Sequence, residues 1–424
     1  MQKGTLVFVI LLMLAALAVA VLLFTLPLCS QHAQPVPTGD TLPTLAQTEA
    51  TAASETPVTT TQAETESETE VPDEPDDETM LRARELLSEM TLTEKLCQLM
   101  IVNPDTIAGE NPVTEADEAC RKALETYPVG GFSFGQENIL GRRQTIEMLQ
   151  GFNEMSKLGL FFCLDEEGGT VWRVMGNPQM GTPRFGSMYD YRELGGQAAY
   201  ENAQTIADEI AKLGFNVDFA PVADVWSNPS NTVIGKRAYS DDFTQAAELL
   251  PQAVRGFHAG GVACTLKHFP GHGNTVEDSH KGLAIVHRTA QELRAEELLP
   301  FKAGIDAGAD MVMVGHLLVE DLDAENPATF SYAIVTELLR EEFGFDGVVI
   351  TDALGMGALA EFSEADRCKK ALAAGCDLLL GITEPEKTLQ ALQTAVEREE
   401  LSEQRIDESV LRILYLKLTR GIIE

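Results

Sequence analysis

The sequence is short of positive charge. It carries 31 Lys and Arg against 66 Asp and Glu, a formal net charge of −35. Phosphate backbones are gripped by basic surfaces, so nucleic acid is excluded as a partner. Residues 31–78 contain no Lys or Arg at all, and hardly any large apolar side chain. Built from Thr, Glu, Pro, Ser and Ala, this stretch buries too little surface to offset the entropy of ordering. It is expected to be a disordered, extended linker. Cysteine pairing is also lacking. The seven cysteines are scattered without a CxxC spacing, which argues against a disulfide framework. Cys163 and Cys264 fall in apolar runs, where cysteine behaves as a small hydrophobe. No GxGxxG follows the first strand-like run, so an open doubly wound sheet lacks its nucleotide-binding signature.

What is present begins with an almost purely apolar run, residues 5–28, preceded by Lys3. It is longer than a signal-peptide core and long enough to cross a bilayer as a helix. The charge placement predicts the N-terminus inside and the rest of the chain outside. Residues 1–30 are therefore expected to form an uncleaved signal anchor; a cleaved signal is the alternative. Lipidation at Cys29 is open, although Leu28 is larger than the residue that normally precedes such a cysteine.

From about residue 79 the pattern becomes globular. Leu81, Leu86, Leu87, Met90, Leu92, Leu96 and Leu99 give an apolar helical face, with Thr91 as cap and Glu94 at the capping-box position. Short apolar runs then recur at residues 131–134, 160–164, 217–220, 262–266, 311–314, 348–350 and 378–380, each followed by helical patterning. Strands alternating with helices imply a parallel sheet with crossovers. The expected fold is α/β, a single (β/α)8 TIM-type barrel over residues 79–424. In such a barrel the polar residues just beyond each strand form the site.

Histidine is scarce but concentrated. Six of the seven lie between His258 and His316, and three fall within Lys267 to His280. Pro270, Gly271 and Gly273 break regular structure there. Three readings are open: metal ligation by His268, His272 and His280, a structural loop, or an active-site loop at the C-terminal end of a strand. The last is favoured.

The stretch Lys267-His268-Phe269-Pro270-Gly271-His272-Gly273, followed by Asp278-Ser279-His280, resembles the signature of glycoside hydrolase family 3, in its β-N-acetylglucosaminidase branch. Asn274 stands where that branch usually has Asp. Asp165-Glu166-Glu167-Gly168-Gly169-Thr170-Val171-Trp172-Arg173 is similar to the family motif D-Q-E-G-G-x-V-x-R, with Glu166 in place of Gln. Residues 216–225 and 234–240 are similar to two further segments, and Met90 to Lys95 to the opening of the catalytic domain. Thr351-Asp352-Ala353 resembles the nucleophile segment, with Ala353 where many relatives have a second Asp.

The resemblance implies a retaining glycosidase. Asp352 would be the nucleophile, and His280, held by Asp278, the acid/base. Asp165, Arg173, Arg237, Lys267 and His268 would bind the sugar. The implied partner is a GlcNAc-containing carbohydrate, with peptidoglycan fragments as the expected source; no metal or organic cofactor is called for. Asp218, Asp224 and His316 are rim positions without an assigned role. The implied activity is that of an exo-β-N-acetylglucosaminidase outside the cytoplasm, tethered to the membrane. Alternatives are a β-glucosidase or β-xylosidase, a phosphorolytic enzyme accepting phosphate past the neutral imidazole, and an inactive wall-binding barrel.

Overall fold

The computed structural model describes residues 78–109 and 112–424. The expected anchor, and the linker up to residue 77, lie outside the described residues. No helix among the described residues is long and apolar enough to cross a membrane.

Eight parallel strands form the core. They are β1 Met100–Val102, β2 Gly131–Ser133, β3 Phe161–Leu164, β4 Val217–Asp218, β5 Ala263–Phe269, β6 Met311–Val314, β7 Val348–Thr351 and β8 Leu379–Ile382. Neighbours pair in chain order, and β8 returns to pair with β1. A bridge between Ile350 and Leu378 joins the last two, and the Thr351 amide donates to the Leu378 carbonyl at 3.0 Å. The sheet thus nearly closes into a barrel. Helices follow the strands, among them Arg142–Met155 after β2, Gly196–Ala211 after β3, Phe243–Ala259 after β4 and Glu364–Ala374 after β7. Strands buried on both faces read as continuous apolar runs, which is how β3, β6 and β7 stand in the sequence. The cap at Thr91 is a full capping box: Glu94 N donates to Thr91 Oγ1, and Thr91 N donates to the Glu94 carboxylate at 2.9 Å.

Two differences from the sequence reading matter. The apolar pattern through Leu99 predicts helix and gives no sign of strand β1. The helix Leu92–Gln98 stops, and the three-residue strand begins one residue later. Periodicity cannot separate so short an apolar run from a continuing buried helix. Strand β5 also runs past Leu266, through Lys267 and His268 to Phe269. Its backbone goes on pairing there: the Ala223 amide donates to the Lys267 carbonyl at 2.7 Å, and Phe269 registers with Val314. Both polar side chains are therefore fixed by a strand rather than carried on a loop.

The opposite end of the barrel holds a buried cation. Lys417, on helix Glu403–Thr419, donates to Gln98 Oε1 at 2.8 Å and to the Gly159 carbonyl at 2.9 Å. No carboxylate pairs with it among the described residues, and burial pushes its ammonium down to about 7. An unfolded lysine titrates near 10.4. Between these values the unfolded chain binds the extra proton, so this group makes stability rise with pH, by about 1.4 kcal/mol per unit. Below about pH 7 both states are protonated and the slope vanishes. The difference in unfolding free energy between wild type and Lys417→Met, measured from pH 6 to 9, should be flat to about pH 7 and then move in favour of wild type. A flat difference throughout would contradict this.

Candidate active site

The C-terminal ends of the strands gather the polar residues. Asp165 follows β3, and its carboxylate is shared: Oδ1 accepts from Lys267 Nζ at 2.8 Å and Oδ2 from Arg173 Nη2 at 3.0 Å. Two residues on, Glu167 is buried. Its Oε1 lies 2.6 Å from Lys267 Nζ and accepts from Arg237 Nη2 at 2.7 Å, while Oε2 accepts from Arg237 Nε at 2.8 Å. Two carboxylates and three cations thus alternate, with a bidentate Arg–carboxylate pair at one end. Burial alone would raise the Glu167 carboxyl, but Lys267 and Arg237 hold it far below its ordinary value. Burial would lower the Lys267 ammonium, yet Asp165 and Glu167 raise it. Both groups are charged at neutral pH. The structure joins Asp165, Arg173, Arg237 and Lys267 through Glu167, a residue the sequence reading did not single out. The third letter of the D-Q-E-G-G motif was the available signal.

Glu166, the departure from that motif, faces inward. Its carboxylate accepts from the amides of Arg173, Val174 and Met175 at 2.8, 2.6 and 3.2 Å. It therefore fixes the turn that carries Arg173. Burial raises its carboxyl despite these amides. Asp218 accepts from the Glu166 amide at 2.9 Å, and burial pushes its own carboxyl well above the ordinary range. Asp218 is a support beneath the site. Asp224 is another. It is buried, and Oδ2 accepts from His268 Nδ1 at 2.7 Å while Oδ1 accepts from the His272 amide at 2.6 Å. With Nδ1 engaged, His268 presents its Nε2 edge to the cavity.

Asp352 follows β7. Its amide donates to Val314 O at 3.0 Å, and its Oδ1 accepts from the Ala353 amide at 2.7 Å. Burial would raise its carboxyl; the imidazoles of His268 and His316, the Ala353 amide and Lys267 outweigh burial and hold it below its ordinary value. His316, at the end of β6, is buried. Its Nε2 lies 3.0 Å from the Ala353 carbonyl and its Nδ1 2.7 Å from Thr329 Oγ1. That assigns His316 to bracing the turn beside Asp352. His280 Nδ1 lies 3.0 Å from Asp278 Oδ1, and the same oxygen accepts from the His280 amide. The Lys281 ammonium, then the His280 amide and ring, hold the Asp278 carboxyl down at about 2. The ionised carboxylate directs Nδ1–H inward and leaves Nε2 free to face a substrate.

One cavity of about 530 Å³ is lined by Asp165, Arg173, Arg237, Lys267, His268, His280 and Asp352 together. Asp278 stands behind His280. Residues 91–416 match the model of the glycosyl hydrolase family 3 N-terminal domain. The chain belongs to glycoside hydrolase family 3. It is 34% identical over 369 residues to beta-hexosaminidase A of Pseudoalteromonas piscicida, covering 77% of this chain and 61% of that protein. It is 37% identical over 284 residues to a beta-hexosaminidase of Xanthomonas oryzae pv. oryzae, covering 66% and 84%. A family 3 β-N-acetylglucosaminidase structure from Paenibacillus sp. FPU-7 superposes with a TM-score of 0.72 at 38% identity, covering 78% of this chain and 63% of that one. The chain thus spans under two thirds of the length of the first and third of these relatives.

In this family 3 barrel each histidine of the Lys267–His280 stretch has a side-chain partner. His268 pairs with Asp224, His280 with Asp278, and His272 with two hydroxyls, so the three rings do not converge on a common point. Among the described residues the one grouping of potential ligand atoms within 4.8 Å is His258, Cys264 and Asp310. There Asp310 already accepts from Arg420 Nε at 2.7 Å and from the Cys264 amide at 2.9 Å, and lies 2.9 Å from His258 Nε2. Those contacts explain the cluster as a structural knot.

Proposed function

We propose that this family 3 chain is a retaining exo-β-N-acetylglucosaminidase acting on GlcNAc-terminated glycans such as cell-wall fragments. The observation that carries the reading is one cavity lined by an ionised carboxylate, Asp352, and by the imidazole of an Asp-held histidine, His280. A retaining glycosidase needs one group to attack and one to move a proton. Asp352 attacks the anomeric carbon as the bond to the leaving oxygen breaks. His280 Nε2–H gives that oxygen its proton, leaving a covalent glycosyl-enzyme and a neutral imidazole. Water then gives a proton back to Nε2 and its oxygen to the anomeric carbon, and Asp352 is released. Asp278 steadies the imidazolium in each half. Asp165, Arg173, Arg237, Lys267 and His268 hold the sugar hydroxyls and acetamido group. The relatives named beta-hexosaminidase support the choice of sugar. In this reading residues 1–30 anchor the chain in the membrane, and residues 31–78 space the barrel from it on the outer side.

Release of p-nitrophenol from the β-GlcNAc and β-glucose glycosides by the full chain tests the assignment. Turnover of the GlcNAc substrate at least about tenfold above the glucoside is expected, since a site built for a polar substituent rejects analogues lacking it. Turnover of the glucoside alone overturns the substrate. A sugar phosphate formed on adding inorganic phosphate makes the enzyme a phosphorylase. No turnover of either favours an inactive barrel.

A further inference from the structure

We propose that His272 and Ser279 form a latch that sets where the Asp278–His280 pair stands relative to Asp352, so that both are positioning residues. This rests on the glycosidase reading above. His272 lies three residues past the end of β5 and is buried. Its Nδ1 is 2.7 Å from Thr275 Oγ1, and its Nε2 is 3.1 Å from Ser279 Oγ. Both hydroxyls belong to the segment that leads from β5 to His280, which lines the cavity, and Ser279 is the residue between Asp278 and His280. The ring is thus a post around which the segment folds. The post itself is fixed. Asp224 accepts from the His272 amide, Asn231 Nδ2 donates to its carbonyl at 2.8 Å, and burial keeps the imidazole neutral by lowering its pKa. Beside it Gly273 lies so close to Val225 that a Cβ there would come 1.6 Å from the Val225 carbonyl. The post cannot shift without the loop after β4, at Val225, shifting.

Ser279 is tied on its other side to the nucleophile segment. Its carbonyl accepts from the Ala358 amide at 3.2 Å, and a Cβ on Gly357 would lie 2.6 Å from the His280 carbonyl. The side chain of Ser279 reports to the loop after β5, and its backbone to the short helical turn Gly357–Leu359 that follows Asp352. The neighbouring side chains are bonded among themselves, through Asp278, but stand in solvent. The His280 side chain is 66% exposed and that of Lys281 83%. Two hydrogen bonds at one buried serine (2% exposed) therefore locate an otherwise exposed acid/base. Misplacing a reacting group by about 1 Å costs on the order of 10²-fold.

The test is a double-mutant cycle in the full chain. Ser279→Ala should lower kcat/KM on the GlcNAc substrate about 10- to 100-fold, mainly through kcat. In a His280→Ala background the same change should cost less than about twofold, because it acts only through the missing ring. Equal losses in both backgrounds, or none in the first, overturn the latch. His272→Asn breaks the contact from the other side and should give the same cycle; thermal unfolding of each variant shows that the barrel is intact. Trypsin cleavage after Lys281 gives a readout independent of turnover. It should be at least about tenfold faster in Ser279→Ala than in wild type, and equal rates overturn the proposal. A wild type that turns over no sugar would refute the glycosidase assignment, while the cleavage rates would still decide the latch.

Discussion

Asp352→Asn should lower kcat/KM for the p-nitrophenyl β-GlcNAc substrate by about 10⁴-fold or more, with the unfolding midpoint nearly unchanged. The shape is conserved, and the asparagine oxygen can still accept from the Ala353 amide that now bonds Asp352 Oδ1. In the proposed mechanism the negative oxygen that attacks the anomeric carbon is lost, and an amide does not replace it. The local field matters as well. Burial would favour a neutral carboxyl at this position, but the imidazoles of His268 and His316, the Ala353 amide and Lys267 hold the pKa below its ordinary value. The carboxylate is therefore charged at neutral pH, as the proposed nucleophile must be. Intact-mass measurement with a slowly turned-over fluorosugar gives the second readout. Wild type should gain the mass of one sugar and Asp352→Asn none. A variant that keeps more than a tenth of the activity would remove Asp352 from the nucleophile role.

The strand ends were legible because a barrel strand buried on both faces leaves an unbroken apolar run. The first polar residue after such a run must lie at the rim. Asp165 could be picked out on that basis, Asp352 one residue further on because Thr351 still belongs to β7, and Lys267 and His268 nearly so, although β5 runs on through them. What the sequence hid was the wiring between these residues. Glu167 binds Lys267 and Arg237, which lie 100 and 70 positions away. Asp224 holds His268 and His272 across 44 and 48 positions. Spacing says nothing about a partner brought in by strand order, so each carboxylate read only as another acidic residue on a rim. His272 was visible as a histidine but not as a post, because its partners are hydroxyls of unremarkable residues. Strand β1 was hidden for a different reason: three apolar residues after a helix satisfy both periods.

Glu167→Gln tests the wiring most severely. The substitution keeps the shape and removes one charge from the alternating array. Lys267 and Arg237 would then share a buried space with Asp165 alone, and the new amide would turn a donor toward one of them. Breaking a buried ion pair from one side typically costs about 3–5 kcal/mol, because the charge left behind has lost both water and partner. A loss of that size in unfolding free energy is expected at pH 7. The sign of its pH dependence follows from the depressed carboxyl. The stabilisation by Glu167 is fully present above the unfolded value near 4.3 and is lost as pH falls through the folded value, which lies well below it. Wild type and variant should therefore converge only in strong acid. Activity should fall with stability, since Lys267 and Arg237 lose the anchor that aims them at the sugar. The loss should appear in KM as well as in kcat, because these contacts exist before bond breaking begins. If Glu167→Gln is as stable as wild type and binds substrate equally well, the array is no more than a surface of interchangeable charges. In that case Asp165 alone must orient Lys267, and the buried Arg237 must find its compensation in the Val233 carbonyl, 3.0 Å from its Nη1.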